Sequence, residues 1–487
     1  MSEPLPARPD RARDGLAPLH AHLLLTGFYV ATRFALDAAG VRFGFALDWM
    51  WLSDPADLRD RLAETLYYYH AFPPGMNLLT GILLKLAGAS APALAHATFW
   101  VLGLVIVNAL LYLCRAVGLS AWTGLFLSAA FAVIPQTIYF EHLYLYEYPI
   151  TALLLAGAVC FHAAVRRQHA VAWAGFFAAA AAVGLTRSTF HLVWFLVLLA
   201  ASLWLVPAAR RRRVLAAACV PALLLLGLYA KNFALFGVFD AFTFGPVSQS
   251  LVTIWNLPPD VRDAWIRDGR LSPFAAVSVY AGPRDYVDLM PPRDDRQWPE
   301  QLRVLERPTI QAANYNHVLF LEVNRARRAD AFRYVQERPF AYLATVVRGL
   351  VDVFAPSTEW HPLDRTGGSP HEEVREVLGG YERAFNRAVH SLPVAPIGLY
   401  VLLPAVLVWT LREALRLIGS GEAEAAARGW LLILCLFQVI FVAAASCLFT
   451  FRESSRYRFQ VEPMIWLLTA VCAASLWRER KKTRRGV

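Results

Sequence analysis

No two cysteines of this 487-residue chain stand together in a polar segment. Cys114, Cys160, Cys219, Cys435, Cys447 and Cys472 all fall in apolar stretches, as small buried hydrophobes do. No disulfide framework is implied. The 12 histidines are scattered, with no HExxH or other metal-ligand spacing. No cofactor is indicated by the residues, and a divalent cation held by carboxylates stays open. The N-terminus, MSEPLPARPDRARDG, lacks the short apolar core and cleavage site of a signal peptide. No inverted repeat is visible, nor a pair of Gly/Pro-broken segments in matching halves, and this weighs against a solute or lipid transporter.

Apolar side chains are abundant instead. They make up 57% of the residues, and the mean hydropathy is +0.41. That composition fits an all-α polytopic membrane protein rather than a soluble one. The net charge of +10 reads first as a topology signal, and no nucleic-acid partner is expected. The first apolar segment, 20–40, predicts an uncleaved span. Others follow near 75–89, 93–114, 121–138, 149–165, 170–186, 190–208, 214–233, 396–415, 429–450 and 460–477. Each approaches spanning length except 75–89. Basic clusters sit at Arg8, Arg11 and Arg13, at Arg166-Arg167, at Arg210 to Arg213, at Arg412, Arg416 and Arg428, and in the tail. They all face the cytoplasm only if 75–89 does not cross. The sequence therefore predicts about ten transmembrane helices, with 75–89 lying on the outer face. It divides into a cytoplasmic tail (1–19), a first membrane module (20–235), an extracytoplasmic loop subdomain (236–393), a last membrane module (394–478) and a basic cytoplasmic tail (479–487).

With that topology the outer face collects the chemistry. The 41–77 loop carries Asp48 between apolar residues, followed by Trp49 and Trp51. A short amphipathic helix is expected over 55–69, then His70 and Pro73-Pro74, which stop it. The 139–148 turn brings Glu141, His142 and Glu147. Thr186-Arg187-Ser188 ends a later span. The turn 451–459 holds Arg452, Glu453, Arg456 and Arg458. Arginines placed outside, against the usual charge bias, point to an anion site, with phosphate the obvious ligand. Within 236–393 the pattern predicts a helix over 309–337. It also predicts an apolar helix over 342–354, too short to cross and resting on the membrane.

These residues resemble the GT-C superfamily of polytopic glycosyltransferases, nearest the dolichyl-phosphate-mannose protein mannosyltransferases and the bacterial aminoarabinose transferases. Four features carry the resemblance. They are Asp48 in the first outer loop, the H-x-x-P-P turn from His70 to Pro74, the acidic second turn with Leu185-Thr186-Arg187, and RYRF-x-V-x-P from Arg456 to Pro463. Asp48 is followed by Trp49, where some members have an adjacent Asp-Glu pair. The 236–393 loop carries none of the family's signatures.

The resemblance implies an enzyme that moves a sugar from a polyprenyl-phosphate carrier to a lipid, glycan or protein acceptor. The work would be done outside the cytoplasm, at a plasma membrane of bacterial inner type. It implies Asp48 as general base and arginines holding the lipid phosphate. Substrate-binding candidates are His70, Glu141, Glu147, Arg187, Arg456 and Arg458. Each has a plainer structural reading. Asp48 can be an interfacial residue or a helix cap. Asp37, four residues after Arg33, competes as base but reads more simply as an i, i+4 ion pair. Glu141 and Glu147 can pair with Arg187 or the 452–458 arginines. His70 can be a hydrogen-bonded structural histidine, and Arg187 can snorkel to the headgroups. A transporter or a non-catalytic scaffold are the alternatives for the whole chain.

Overall fold

The computed structural model describes residues 16–292, 294–353, 380, 384, 395–450 and 454–484. Arg452, Glu453 and the basic cluster at Arg8 to Arg13 lie outside the described residues. Within them the chain is almost wholly helical. Glu306–Arg307 and Ala312–Ala313 form the one antiparallel strand pair among the described residues. Four helical runs are long and apolar enough to cross a membrane: Gly75–Ala116, Glu147–Arg167, Ala208–Phe236 and Ala423–Phe449. Ala121–Val133 and Pro135–His142 make a fifth if they count as one span, bent by 57°. Pro135 causes that bend. It removes an amide donor and forces Ile134 out of helical geometry, to φ −65°, ψ 147°. Ala170–Thr186 and Leu192–Leu205 are shorter apolar helices. The architecture is all-α and of membrane-protein type.

Several element boundaries differ from those expected. The 75–89 segment is the helix Gly75–Ala87, continuous with the next helix except for a break at Gly88, where φ is +52°. The helix expected over 55–69 splits at Arg61 into Pro55–Asp60 and Leu62–Tyr68. The one expected over 309–337 begins only at Phe320. Residues before it turn back instead, with Gln311 at φ +52° and its amide bonded to the Arg307 carbonyl at 2.8 Å.

A buried ion pair joins the first helix to the second turn. Arg33 Nε donates to Glu141 at 2.9 and 3.1 Å, and Arg33 Nη2 closes the fork. Tyr29 and Tyr148 hydroxyls donate to the same carboxylate, each at 2.8 Å. Arg33 is 1% exposed and Glu141 0%. Two charges removed from water need this saturation, because their desolvation is costly. Gly103 makes room for it: a Cβ there would collide with the Tyr29 and Tyr148 hydroxyls. Arg33 therefore does not pair with Asp37, as the i, i+4 spacing suggested. Asp37 instead holds Arg42 at the surface, 2.6 Å away. The helical spacing was available, but a fully buried carboxylate outcompetes a solvated one.

The described part of 236–353 packs around three apolar clusters. One gathers Phe244, Val247, Phe274, Tyr286 and Phe320. Another gathers Ile254, Leu257, Trp265, Leu271 and Tyr334. The smallest joins Phe236, Leu302 and Val318. The helix Pro339–Asp352 has two faces. Gly349 sits against Cys447, and the Tyr342 hydroxyl donates to the Leu448 carbonyl at 3.0 Å. Phe340, Leu343, Val347 and Leu350, at helical spacing, are exposed. An apolar face of this kind beside a candidate span suits a helix lying in the membrane interface.

Removing one member of the Arg33–Glu141 pair leaves a buried charge uncompensated, at a cost of about 3–5 kcal/mol. Glu141→Gln should lower the thermal midpoint in detergent, and Arg33→Met combined with Glu141→Leu should recover only part of the loss, because the Tyr29 and Tyr148 hydroxyls then lack their acceptor. Gly103→Ala should behave like Glu141→Gln. An unchanged midpoint in Glu141→Gln would contradict the assignment.

Candidate functional site

The first loop has little regular structure, so its backbone groups need partners from elsewhere. Gly44 supplies one link. Its amide donates to the His142 carbonyl at 2.8 Å, and its carbonyl accepts from the Tyr144 amide at 3.1 Å. That strand-like bridge lashes the first loop to the 139–148 turn. Asn77, from the helix Gly75–Ala87, holds the next part. It accepts from the Ser53 amide and donates to the Trp51 carbonyl, both at 2.8 Å. Tyr69 donates to the same carbonyl at 2.7 Å.

Arg307 completes the loop's support. Its Nη1 donates to the carbonyls of Leu47 (3.0 Å), Trp49 (3.1 Å) and Leu52 (3.0 Å). Its Nη2 donates to the Asp48 carbonyl at 2.6 Å. Arg307 is 2% exposed, and burial lowers its pKa. Asp54, at the loop's end, caps the following helix through the Ala56 amide at 2.9 Å and accepts from the Thr309 amide and hydroxyl. One short hairpin, 306–313, therefore fixes the conformation of 47–54. The Asp48 side chain is exposed.

A small cleft opens beside this loop, lined by Trp51, Phe72, Pro73, Tyr146, Arg187 and Ser188 among others. Every one of these lies in a loop or at a helix end. Arg187 follows the helix Ala170–Thr186 in extended geometry, with its amide still bonded to Val183 at 2.9 Å. Its guanidinium carbon lies 4.1 Å from the Tyr146 ring centre and 4.4 Å from that of Tyr457. A cation flanked by two rings is held in place by their negative faces. The rings continue outward: Tyr146 meets Trp51 at 4.8 Å, and Trp51 stacks on Trp49 at 4.7 Å. Gly75 brings the Pro73-Pro74 turn onto the same helix end, where a Cβ would lie 2.8 Å from the Leu185 carbonyl oxygen.

Behind Tyr146, Arg456 pairs with Glu147 at 3.3 Å, and both are buried. Arg456 also lies 5.4 Å from the Tyr457 ring centre. Arg187, Arg456 and Glu147 thus come together around Tyr146 and Tyr457. Arg458 points elsewhere. It donates to the Val353 carbonyl at 2.5 Å and lies 3.5 Å from Glu462, which anchors the end of the Pro339–Asp352 helix. Glu141 is taken up by Arg33 and two tyrosines and does not line the cleft.

His70 is likewise inside the packing. It is 0% exposed, its Nδ1 is 2.8 Å from the Thr243 hydroxyl, and its ring lies on Phe236. Its amide and that of Ala71 donate to Asn316. Burial, with Lys231 nearby, pushes its pKa down to about 3. It ties the Pro-Pro turn to the 236–353 segment.

Among the described residues, no group of three or more His, Cys, Asp or Glu is placed to hold a metal ion. Sequence reasoning missed Arg307 and Tyr457. Tyr457 lies between two arginines that were singled out, and an aromatic there is a usable signal. Arg307 carries none, since its Asp48 partner is 259 residues away. The chain matches no protein-family model, and no curated protein or solved structure is significantly similar to it.

His70 gives a pH signature. Its folded pKa lies below its ordinary 6.5, so between about 6.5 and about 3 the unfolded chain binds a proton that the folded chain refuses. Stability should fall as pH drops through this window, by at most about 1.4 kcal/mol per pH unit from this group. Thermal midpoints between pH 7 and 4 should decline less steeply in His70→Gln than in the parent. Parallel declines would contradict the neutral buried assignment.

Proposed function

We propose that the chain is a membrane glycosyltransferase of GT-C type. It takes a sugar from a polyprenyl-phosphate carrier and transfers it to an acceptor on the extracytoplasmic side. The observation that carries this reading is the Arg187 cleft. A cation held between two tyrosines faces an opening built entirely from loops and helix ends, next to the loop that bears an exposed carboxylate. A transporter would place its charges around a site near mid-span, and a scaffold needs no such gathering.

In this reading Asp48 accepts the proton of the acceptor hydroxyl as its oxygen attacks the anomeric carbon. The bond between that carbon and the phosphate oxygen breaks, and the polyprenyl phosphate leaves with its added negative charge. Arg187 stabilises that charge, preorganised by Tyr146 and Tyr457 so that little reorganisation accompanies the reaction. Arg456 and Glu147 hold Tyr146 from behind. The exposed apolar face of Pro339–Asp352 lies in the outer membrane interface. Ten crossings put both termini in the cytoplasm and the cleft outside, in a plasma membrane of bacterial inner type. The acceptor is a lipid, glycan or protein.

Two tests follow. Mass spectrometry of envelope glycans and glycolipids should find one sugar substituent lost when the chain is deleted. Asp48→Asn, which keeps shape but loses the proton acceptor, should reproduce the loss with a rate reduced roughly 10²–10⁴-fold. Arg187→Ala should do the same through weaker donor use. An unchanged glycan profile on deletion would overturn the reading, and full transfer by Asp48→Asn would remove the base assignment. For topology, single cysteines at 90 and 167 should be labelled from outside and from the cytoplasm respectively. The reverse pattern contradicts the ten-crossing arrangement.

A further inference from the structure

The ends of three candidate spans meet on the side of the bundle away from the Arg187 cleft. Glu147–Arg167 has 21 residues, so its last turn lies about 30 Å along the axis from Tyr146. There it brings Arg166 and Arg167. Gly75–Ala116 brings Arg115, and Ala423–Phe449 brings Glu424 and Arg428. Arg428 lies 3.2 Å from Glu424, and Arg166 lies 3.6 Å from the same carboxylate. The turn after Arg115 is wound tightly enough to admit Arg428. Gly118, at φ +88°, donates its amide to the Arg115 carbonyl at 3.0 Å, and a Cβ on it would lie 3.2 Å from Arg428 Nη1.

Four guanidiniums thus stand at this junction with one carboxylate. Arg166, Arg167, Arg428 and Glu424 all lie within electrostatic reach of His162. Arg115 and Arg167 make no side-chain hydrogen bond or ion pair among the described residues. Like charges brought together without a counter-charge repel. The usual excess of arginine at one membrane face requires only that the arginines lie at this end. It does not require two helices to share Glu424, or Gly118 to take left-handed geometry beside Arg428. Tryptophans fix the depth. Trp122 and Trp204 are 58% and 71% exposed, and Trp204 meets Trp430 edge-on at 5.4 Å. Exposed tryptophans at span ends sit among lipid headgroups. Trp430 follows Arg428 closely and Trp122 follows Gly118, so the arginines lie at phosphate depth.

We propose that this junction binds the headgroup phosphate of an anionic phospholipid, in the leaflet opposite the Arg187 cleft. The phosphate oxygens of a diester carry negative charge and only accept hydrogen bonds, which complements guanidiniums that only donate. Arg115 and Arg167 supply the new contacts, while Arg166 and Arg428 stay on Glu424. The lipid thereby bridges the ends of Gly75–Ala116 and Glu147–Arg167. Ten crossings place it in the cytoplasmic leaflet, whose surface carries anionic lipid. The proposal rests on the chain being a membrane protein and on none of the sugar chemistry.

The test uses the full chain, delipidated in detergent, with dioleoyl phosphatidylglycerol or dioleoyl phosphatidylcholine added back. Native mass spectrometry counts the lipids retained. Phosphatidylglycerol should stay as a saturable adduct where phosphatidylcholine does not. Arg115→Gln should weaken that adduct about fivefold, the effect of one arginine worth about 1 kcal/mol at an anionic headgroup. Arg167→Gln should act likewise. Neither side chain has a partner among the described residues, so the lipid-free thermal midpoint should stay at the parent's value in both. Arg212→Gln combined with Arg213→Gln changes exposed arginines at the start of another helix, Arg211–Phe236, and should leave the adduct intact. Equal retention of the two lipids overturns the proposal. So does a loss in the Arg212 and Arg213 variant as large as in Arg115→Gln, which would mean diffuse attraction to basic helix ends. Displacement of the lipid by inorganic phosphate alone would mean a site for a soluble anion, and also overturns it.

Discussion

Four backbone carbonyls of one loop converge on a single guanidinium, and the rest of the site depends on that contact. Residues 47–52 lie outside any regular element, and their carbonyls cannot be left buried and unbonded without a cost of about 1–3 kcal/mol each. Arg307 meets those of Leu47, Asp48, Trp49 and Leu52. Its planar fork suits the task, since a lysine offers only a point charge with three donors. Because Arg307 lies in the hairpin of the 236–353 segment, that segment acts on the loop directly. It is not merely a cover, for the same hairpin sends Thr309 to Asp54 and is followed by Asn316, which holds the His70–Ala71 turn.

On the opposite flank, aromatic rings do the positioning. Trp49, Trp51, Tyr146 and Tyr457 form a chain of contacts that ends on Arg187. Rings of this size fix a cation in place through their negative faces. Glu147 is the carboxylate partner of Arg456. Two buried arginines thus share this layer, Arg456 against an acid and Arg187 between two rings at the cleft's edge.

Much of this was legible in the sequence, and the reasons are local. Apolar runs announce helices and Pro73-Pro74 announces a break, whereas the break at Pro135 falls inside the segment expected to run unbroken over 121–138. Arg187, Arg456 and Glu147, each singled out in a short turn, lie close together around Tyr146 and Tyr457. Partner choice was less legible. Arg33 has Asp37 at helical spacing and yet bonds Glu141, because burial and two tyrosine hydroxyls outweigh proximity along the chain. The 309–319 stretch carries a helical pattern of Ile310, Ala313 and Val318, but a strand pair and the Asn314 and Asn316 side chains turn it into a hairpin return. Arg307 looked like any loop arginine, since nothing near it in sequence records the four carbonyls it meets.

The central claim is that the Arg187 cleft receives the phosphate of a lipid carrier. The most direct test is photo-crosslinking with a polyprenyl phosphate that carries a diazirine on its first isoprene unit. Peptide mapping by mass spectrometry then locates the adducts. The account predicts adducts on residues lining the cleft, foremost Met76, Phe72 and Tyr146, suppressed by an excess of unlabelled polyprenyl phosphate. Adducts confined to other helices, or spread without competition, would contradict it.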